Sequence, residues 1–192
     1  MFVQLVLGQA ADAAAFRRQW ERWVSSLAVG AAGFDGATGG VTADHRAVLV
    51  TRFESEPAAR AHDMQAVAGT LAAPFEVLET ADVTLHGGQG WETARFVQLM
   101  RARVRDRRRF EAIEDEIAPQ FMKFRPDALA AYRAWFPGGS VVAIDYFTSE
   151  EQARAGERKQ MPELLAQRFG EWMSLLDDVE WFDLTEPWIA TP

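Results

Sequence analysis

Apolar positions recur along this chain with two different periods, and each change of period marks a new element. Phe2 to Leu7 is an apolar run of strand length. Asp12 follows as a candidate helix N-cap, and Phe16, Trp20, Trp23 and Leu27 then fall at helical spacing and form one apolar stripe. Gly30 to Gly40, rich in glycine, reads as a turn region leading to a second strand, and Ala47 to Phe53 reads as a third. Ser55-Glu56-Pro57 opens the next helix, with proline in its first turn, and Glu76 to Leu85 is the closing strand.

The same order then repeats. Phe2-Val-Gln-Leu5 recurs as Phe96-Val-Gln-Leu99, an offset of 94, and at that offset Phe16 falls on Phe110. Ala47 to His62 falls without a gap on Val141 to Gly156, and seven of those sixteen positions are identical. Glu79 to Thr84 falls on Glu180 to Thr185 at an offset of 101, so the second copy carries seven extra residues around its second helix. Four segments in one order define a tandem duplication, with repeats over residues 1–92 and 93–192. In the second copy the pattern predicts strands over 96–101, 141–147 and 179–185. It predicts helices over 106–118 and 149–175, the latter broken at Pro162, and a partly helical stretch from Phe121 to Pro137.

Strand, helix, strand, strand, helix, strand is the split βαβ or ferredoxin-like unit, so the fold class is α+β with two βαββαβ repeats. Two helices cover one face of such a sheet and leave the other to be buried elsewhere. The expected architecture is therefore two antiparallel sheets facing each other to form an α/β barrel within one chain. Gly87-Gly-Gln-Gly90 would be the flexible joint. A monomeric pseudo-dimer or a homodimer are both compatible with a duplicated chain.

Composition narrows the chemistry. The net charge of −8 argues against a nucleic-acid partner; the one basic stretch, Arg101 to Arg109, runs into an acidic one and reads as a solvated strand end and helix start. Cysteine is absent and there are three histidines, which removes thiolate chemistry and limits metal binding. No apolar run approaches the ~18 residues of a membrane span, and the N-terminus has no charged region of a signal peptide. The expectation is a cytoplasmic protein without a membrane partner. Seven tryptophans suggest a large core or an aromatic-lined cavity.

Ala32-Gly-Phe-Asp-Gly36, with the strand that ends in Phe53 and the Glu54-Ser55 to Ala59 segment after it, resembles the dimeric α/β-barrel superfamily. Within it the antibiotic biosynthesis monooxygenase-type domain is most similar. That resemblance implies a pocket for an apolar or aromatic small molecule. It also implies one of three functions. The first is a cofactor-independent monooxygenase acting on an aromatic or polyketide-like compound. The second is a non-catalytic binding or stress-associated protein, and the third is a heme protein of altered ligation. Against the heme-degrading branch, the first-strand asparagine falls at Gln4, the second-helix tryptophan at His62 and the axial histidine near Leu71, so no cofactor is expected; if heme binds, His62 is the candidate ligand.

Gln4 and Gln98 hold matching places in apolar strands, sharing a face with Phe2 and Val6, and with Phe96 and Met100. A buried amide needs partners, which backbone, the counterpart residue or a pocket ligand can supply. Arg52 and Tyr146 are matched positions where the copies diverge, suited to orienting a carboxylate or phenol. These four residues are the candidate catalytic set. His45 in a turn, His86 beside the glycine linker and the run Glu114-Asp-Glu116 are all expected at the surface. No metal site is expected.

Overall fold

The computed structural model describes the whole chain except residues 29, 63, 88 and 89. Its strands are β1 (Phe2–Gln9), β2 (Phe34–Val41), β3 (Arg46–Phe53), β4 (Ala72–Thr80), β5 (Val83–Gly87), β6 (Phe96–Val104), β7 (Ala128–Phe136), β8 (Ser140–Phe147), β9 (Leu176–Leu184) and β10 (Trp188–Ala190). Its helices are α1 (Ala13–Ala28), α2 (Glu56–Arg60), α3 (Gln65–Ala68), α4 (Arg107–Phe124), α5 (Glu150–Glu157) and α6 (Glu163–Met173).

Matching residues start the helices of both copies. Asp12 Oδ1 accepts from the Ala15 amide and Asp106 Oδ1 from the Arg109 amide, while Ser55 and Ser149 cap α2 and α5 in the same way. Each cap satisfies one of the amides that a helix start leaves without a partner.

One sheet has the order β10-β2-β3-β1-β4 and the other β5-β7-β8-β6-β9. Within each, the order 2-3-1-4 of the ferredoxin-like repeat is preserved, and a fifth strand is added at the edge beside the second. Offset registers match: Gln4 pairs with Thr51 and Gln98 with Asp145, while Gly39 pairs with Leu49 and Arg133 with Ala143. The ladders form two open sheets and do not close into a hydrogen-bonded barrel.

The chain divides into two compact units, Met1–Val83 with Phe182–Pro192, and Thr84–Trp181. In the first, Phe16, Trp20, Trp23 and Leu27 of α1 pack on Phe2, Val6, Leu49 and Phe53. In the second, Phe110, Ile113 and Ile117 of α4 with Leu165 and Trp172 of α6 pack on Met100, Val104, Trp135 and Val141. The opposite faces are buried too, through Val3, Leu5, Val48 and Val50 in one unit and Val97, Leu99, Val142 and Ile144 in the other.

Three local expectations need correction. The glycine-rich stretch is itself strand β2, because bulky neighbours fill the space a Cβ would need. A Cβ at Gly39 would lie 2.9 Å from Trp20 Nε1, and one at Gly40 would lie 3.0 Å from Leu184 Cδ2. The stretch from Phe121 to Pro137, expected to be partly helical, is helical only to Phe124, as the end of α4, and then runs into β7. The closing strand of the first repeat is two strands, β4 and β5, on different sheets. Residues 88 and 89 of the proposed glycine joint lie outside the described residues, and Gly87 belongs to β5.

Candidate functional site

Side chains alternate across a strand, so the register assigns each candidate to a face. Phe2, Gln4 and Val6 point to the helix side of the first sheet with Leu49, Thr51 and Phe53. Val3 and Leu5 lie on the other side with Val50 and Arg52. The sheet thus separates Gln4 from Arg52. Likewise Gln98 shares the helix side of the second sheet with Asp145, and Tyr146 lies on the far side.

Gln4 is satisfied within its own unit. Its Nε2 donates to Glu79 Oε1 at 2.8 Å, its Oε1 accepts from Thr51 Oγ1 at 3.5 Å, and Glu79 pairs with Arg60 at 2.8 Å. These are cross-strand neighbours on β3, β1 and β4, the pairing that stabilises a sheet. Arg52 is buried, with 1% of its surface exposed. His62 stacks on Phe53, with ring centroids 5.8 Å apart and planes 9° from parallel. In the second unit Gly156 occupies the matching position, and Arg125 lies over Phe147 at 5.2 Å in the vacated space. Both copies therefore cover the same phenylalanine with a flat, cation-capable group from a different place in the chain.

Tyr146 gathers the most suggestive surroundings. It is fully buried, and its ring meets Tyr132 edge-on at 5.8 Å and Trp91 at 6.1 Å. Tyr132 arrives through the pairing of β7 with β8. Trp91 arrives through a single 3-10 turn, Trp91–Thr93, that follows the left-handed Gly90 (φ 91°). Trp91 is half-buried, so the cluster runs from a closed centre to a partly open edge. The first copy has Thr38 and Arg52 at the positions of Tyr132 and Tyr146.

Behind this sheet lies a group of interacting charges. Glu114 is 6% exposed on α4 and accepts from Arg133 Nε at 2.7 Å. Arg133 Nη1 donates to Asp145 Oδ1 at 3.0 Å and to the Tyr132 carbonyl at 3.1 Å. His86 Nε2 of β5 lies 3.2 Å from Glu114 Oε2, its side chain only 13% exposed. Burial works against the charge of Glu114, but Arg133 and His86 outweigh it and hold the carboxyl below its ordinary range. Burial likewise opposes the Arg133 charge, while Asp145 and Glu114 raise its proton affinity. Of this group Glu114 and His86 were expected to be exposed. The signal that could have found Glu114 and its partner Arg133 is the repeat: at the offset of 94, Glu114 falls on Trp20 and Arg133 on Gly39, a paired exchange on facing elements.

The basic stretch is largely neutralised by local acids. Arg103 pairs with Asp178 at 3.1 Å, Arg105 with Asp177 at 3.5 Å, Arg107 with Glu111 at 2.7 Å, and Arg109 with Glu171. An open groove of about 330 Å³ lies beside it, lined by Asp106, Arg108, Arg109, Ala112, Ile113, Glu116 and Arg168. Arg168 crosses that groove to Glu116. Among the described residues no cluster of three or more acidic or histidine side chains is placed to hold a metal ion, and no helix is long and apolar enough to cross a membrane.

No protein-family model matches the chain, and no curated protein matches it. Solved structures do. A protein named as a candidate monooxygenase from Lactobacillus acidophilus NCFM is similar with a TM-score of 0.75 at 14% identity, over 99% of this chain and 95% of that one. A candidate monooxygenase from Fusobacterium nucleatum subsp. nucleatum gives 0.77 at 10% identity, over 99% and 94%. An anthrone oxidase-like protein gives 0.65 at 11% identity, over 98% and 93%. The chain shares its tandemly duplicated, ferredoxin-like α+β fold with these three structures. At such identities it is the fold that is shared.

Proposed function

We propose that this protein binds one aromatic or polyketide-like small molecule at the Trp91–Tyr132–Tyr146 cluster of the second unit and oxygenates it without a cofactor. The observation that carries the reading is the edge-to-face chain of three aromatic rings, two of them at positions where the first copy has diverged. Such a wall favours a flat polycyclic ligand, and the two phenols supply hydrogen bonds for a ligand carbonyl or enolate oxygen. Cofactor-free oxygenation asks little more of a protein, because the substrate carbanion itself reduces oxygen once its negative charge is stabilised.

The neighbour named as anthrone oxidase-like supports an anthrone as the probe. The reaction balances as anthrone plus O2 giving anthraquinone plus water. The two methylene hydrogens leave with one oxygen atom, and the other oxygen becomes the new carbonyl. In this reading Tyr132 and Tyr146 hold the enolate oxygen and Trp91 covers the ring. Gln98 lies on the opposite face of the same sheet.

A second reading, binding without catalysis, is favoured by one observation. Glu114, Arg133, Asp145 and His86 all belong to the helix side of the sheet, across it from the tyrosines. An oxygen electrode with anthrone separates the two. Uptake above the spontaneous rate, matched mole for mole by quinone and reduced in Tyr146→Phe, supports the enzyme. Binding without uptake supports the second reading, and neither binding nor uptake overturns both.

A further inference from the structure

We propose that Arg101 gives the aromatic site a charged end, so that the ligand it selects is a linear three-ring aromatic bearing a terminal carboxylate. The inference rests on the proposed function, because it names the class of compound that the Trp91–Tyr132–Tyr146 wall receives. Its basis is the register of the second sheet. Along β8 and β6, Tyr146 lies opposite Val97, Ile144 opposite Leu99 and Val142 opposite Arg101. Met100 and Ala102 belong to the helix-side core, so Arg101 between them shares the far face with the two phenols. It is a half-buried guanidinium on a floor that is otherwise buried and apolar around it. Four residues of strand separate Val97 from Arg101, so the cation stands about 13 Å along the sheet from the row of Tyr146. A linear three-ring system with a carboxylate on its end ring bridges that span and brings its central ring to the phenols.

The repeat singles out the same residue. At the offset of 94 the first copy has Thr38, Arg52 and Leu7 where the second has Tyr132, Tyr146 and Arg101. One face has therefore gained two phenols and a cation together, and the cation has moved two rows away from the position that Tyr146 now holds. Leu7 is buried, so this place in the fold accepts an apolar side chain and does not require a charge. Two residues on from Arg101, Arg103 is exposed and paired with Asp178 at 3.1 Å, so the positive charge of β6 enters the apolar face through Arg101. A guanidinium holds a carboxylate by two parallel hydrogen bonds, which strengthen where apolar neighbours exclude water. The net charge of −8 works against any anionic ligand, so a preference for a carboxylate reports a local cation.

Calorimetric titration of the full chain at neutral pH, with anthraquinone and with anthraquinone-2-carboxylate, tests this. The carboxylate is expected to bind about tenfold or more tightly than the uncharged quinone, the worth of a hydrogen bond to a charged group. Arg101→Leu installs the side chain type that the first copy carries at this place. In that variant the preference should disappear while anthraquinone binds as before, and in Arg103→Leu the preference should persist. Equal affinities in the unmodified sequence would overturn the proposal, and so would a preference that survives Arg101→Leu or is lost in Arg103→Leu. Anthraquinone that binds and weakens in Tyr146→Phe, with no gain from the carboxylate, removes the role of Arg101 and leaves the aromatic site standing. Failure of both compounds to bind overturns the site and this inference together.

Discussion

Arg133 donates to Glu114 at 2.7 Å between β7 and α4, and the residues that hold their places in the first repeat are Gly39 and Trp20. One packing position has thus been filled in two ways, by an indole over a glycine and by a buried ion pair. Each solution requires both partners. Arg133→Ala leaves a buried carboxylate and Glu114→Ala leaves a buried guanidinium. Arg133→Ala is expected to cost about 3–5 kcal/mol and Glu114→Ala less, because Asp145 still pairs with Arg133 at 3.0 Å, whereas Glu114→Leu combined with Arg133→Met, which removes both charges at similar volume, is expected to cost less than the sum of the two. Chemical denaturation of the three variants measures this, and additive losses would contradict it.

The same pair makes stability depend on acid. Glu114 is held below its ordinary value of 4.5. A depressed carboxyl binds protons more weakly in the folded state than in the unfolded one. Its contribution is therefore complete above pH 4.5 and is lost as pH falls through the lower, folded value. Unfolding free energies measured at successive pH values should show this acid-side loss, and Glu114→Gln should flatten it while lowering stability near neutrality.

Gly156 offers a test in which two effects oppose each other. Alanine in a helix gains up to about 1 kcal/mol over glycine. Here, however, a Cβ would overlap the Arg125 guanidinium, which is paired with Asp127 at 2.7 Å and lies over Phe147. Moving that buried group outweighs the helical gain, and Gly156→Ala is expected to destabilise by about 1–3 kcal/mol. A rise in melting temperature would show that Arg125 yields without loss.

The added strand β10 is anchored by Trp188, which packs on Phe16 at 5.5 Å and on Trp20 at 5.6 Å and pairs with Gly39. Trp188→Ala should cost about 3–5 kcal/mol. It should also raise hydrogen exchange at Ala37–Gly39 of β2 more than in β6. Uniform acceleration across both sheets would contradict an anchor local to the first unit.

Much of the fold could be read from the repeat, because the 94-residue offset preserves caps, strand registers and the buried pair Phe16 and Phe110. What escaped the reading followed from contacts made far along the chain. Gly39 and Gly40 look like turn residues until Trp20 and Leu184 are seen to occupy the space above them. Glu114 and His86 look solvated until the fold sets Glu114 between His86 and Arg133. Tyr146 and Arg52 were singled out because they diverge at matched positions. The partners that make Tyr146 the more informative of the two, Tyr132 and Trp91, come from a paired strand and a one-turn helix that local patterning does not connect.

The asymmetry between the repeats is tested most directly by stoichiometry. Calorimetric titration of the full chain with anthraquinone, the product of the proposed reaction and itself inert to oxygen, counts its sites. One ligand per chain is expected, with affinity reduced about tenfold in Tyr146→Phe, the worth of one hydrogen bond, and unchanged in Gln4→Ala. Two equivalent sites, or binding that survives Tyr146→Phe but fails in Gln4→Ala, would contradict a single site in the second unit.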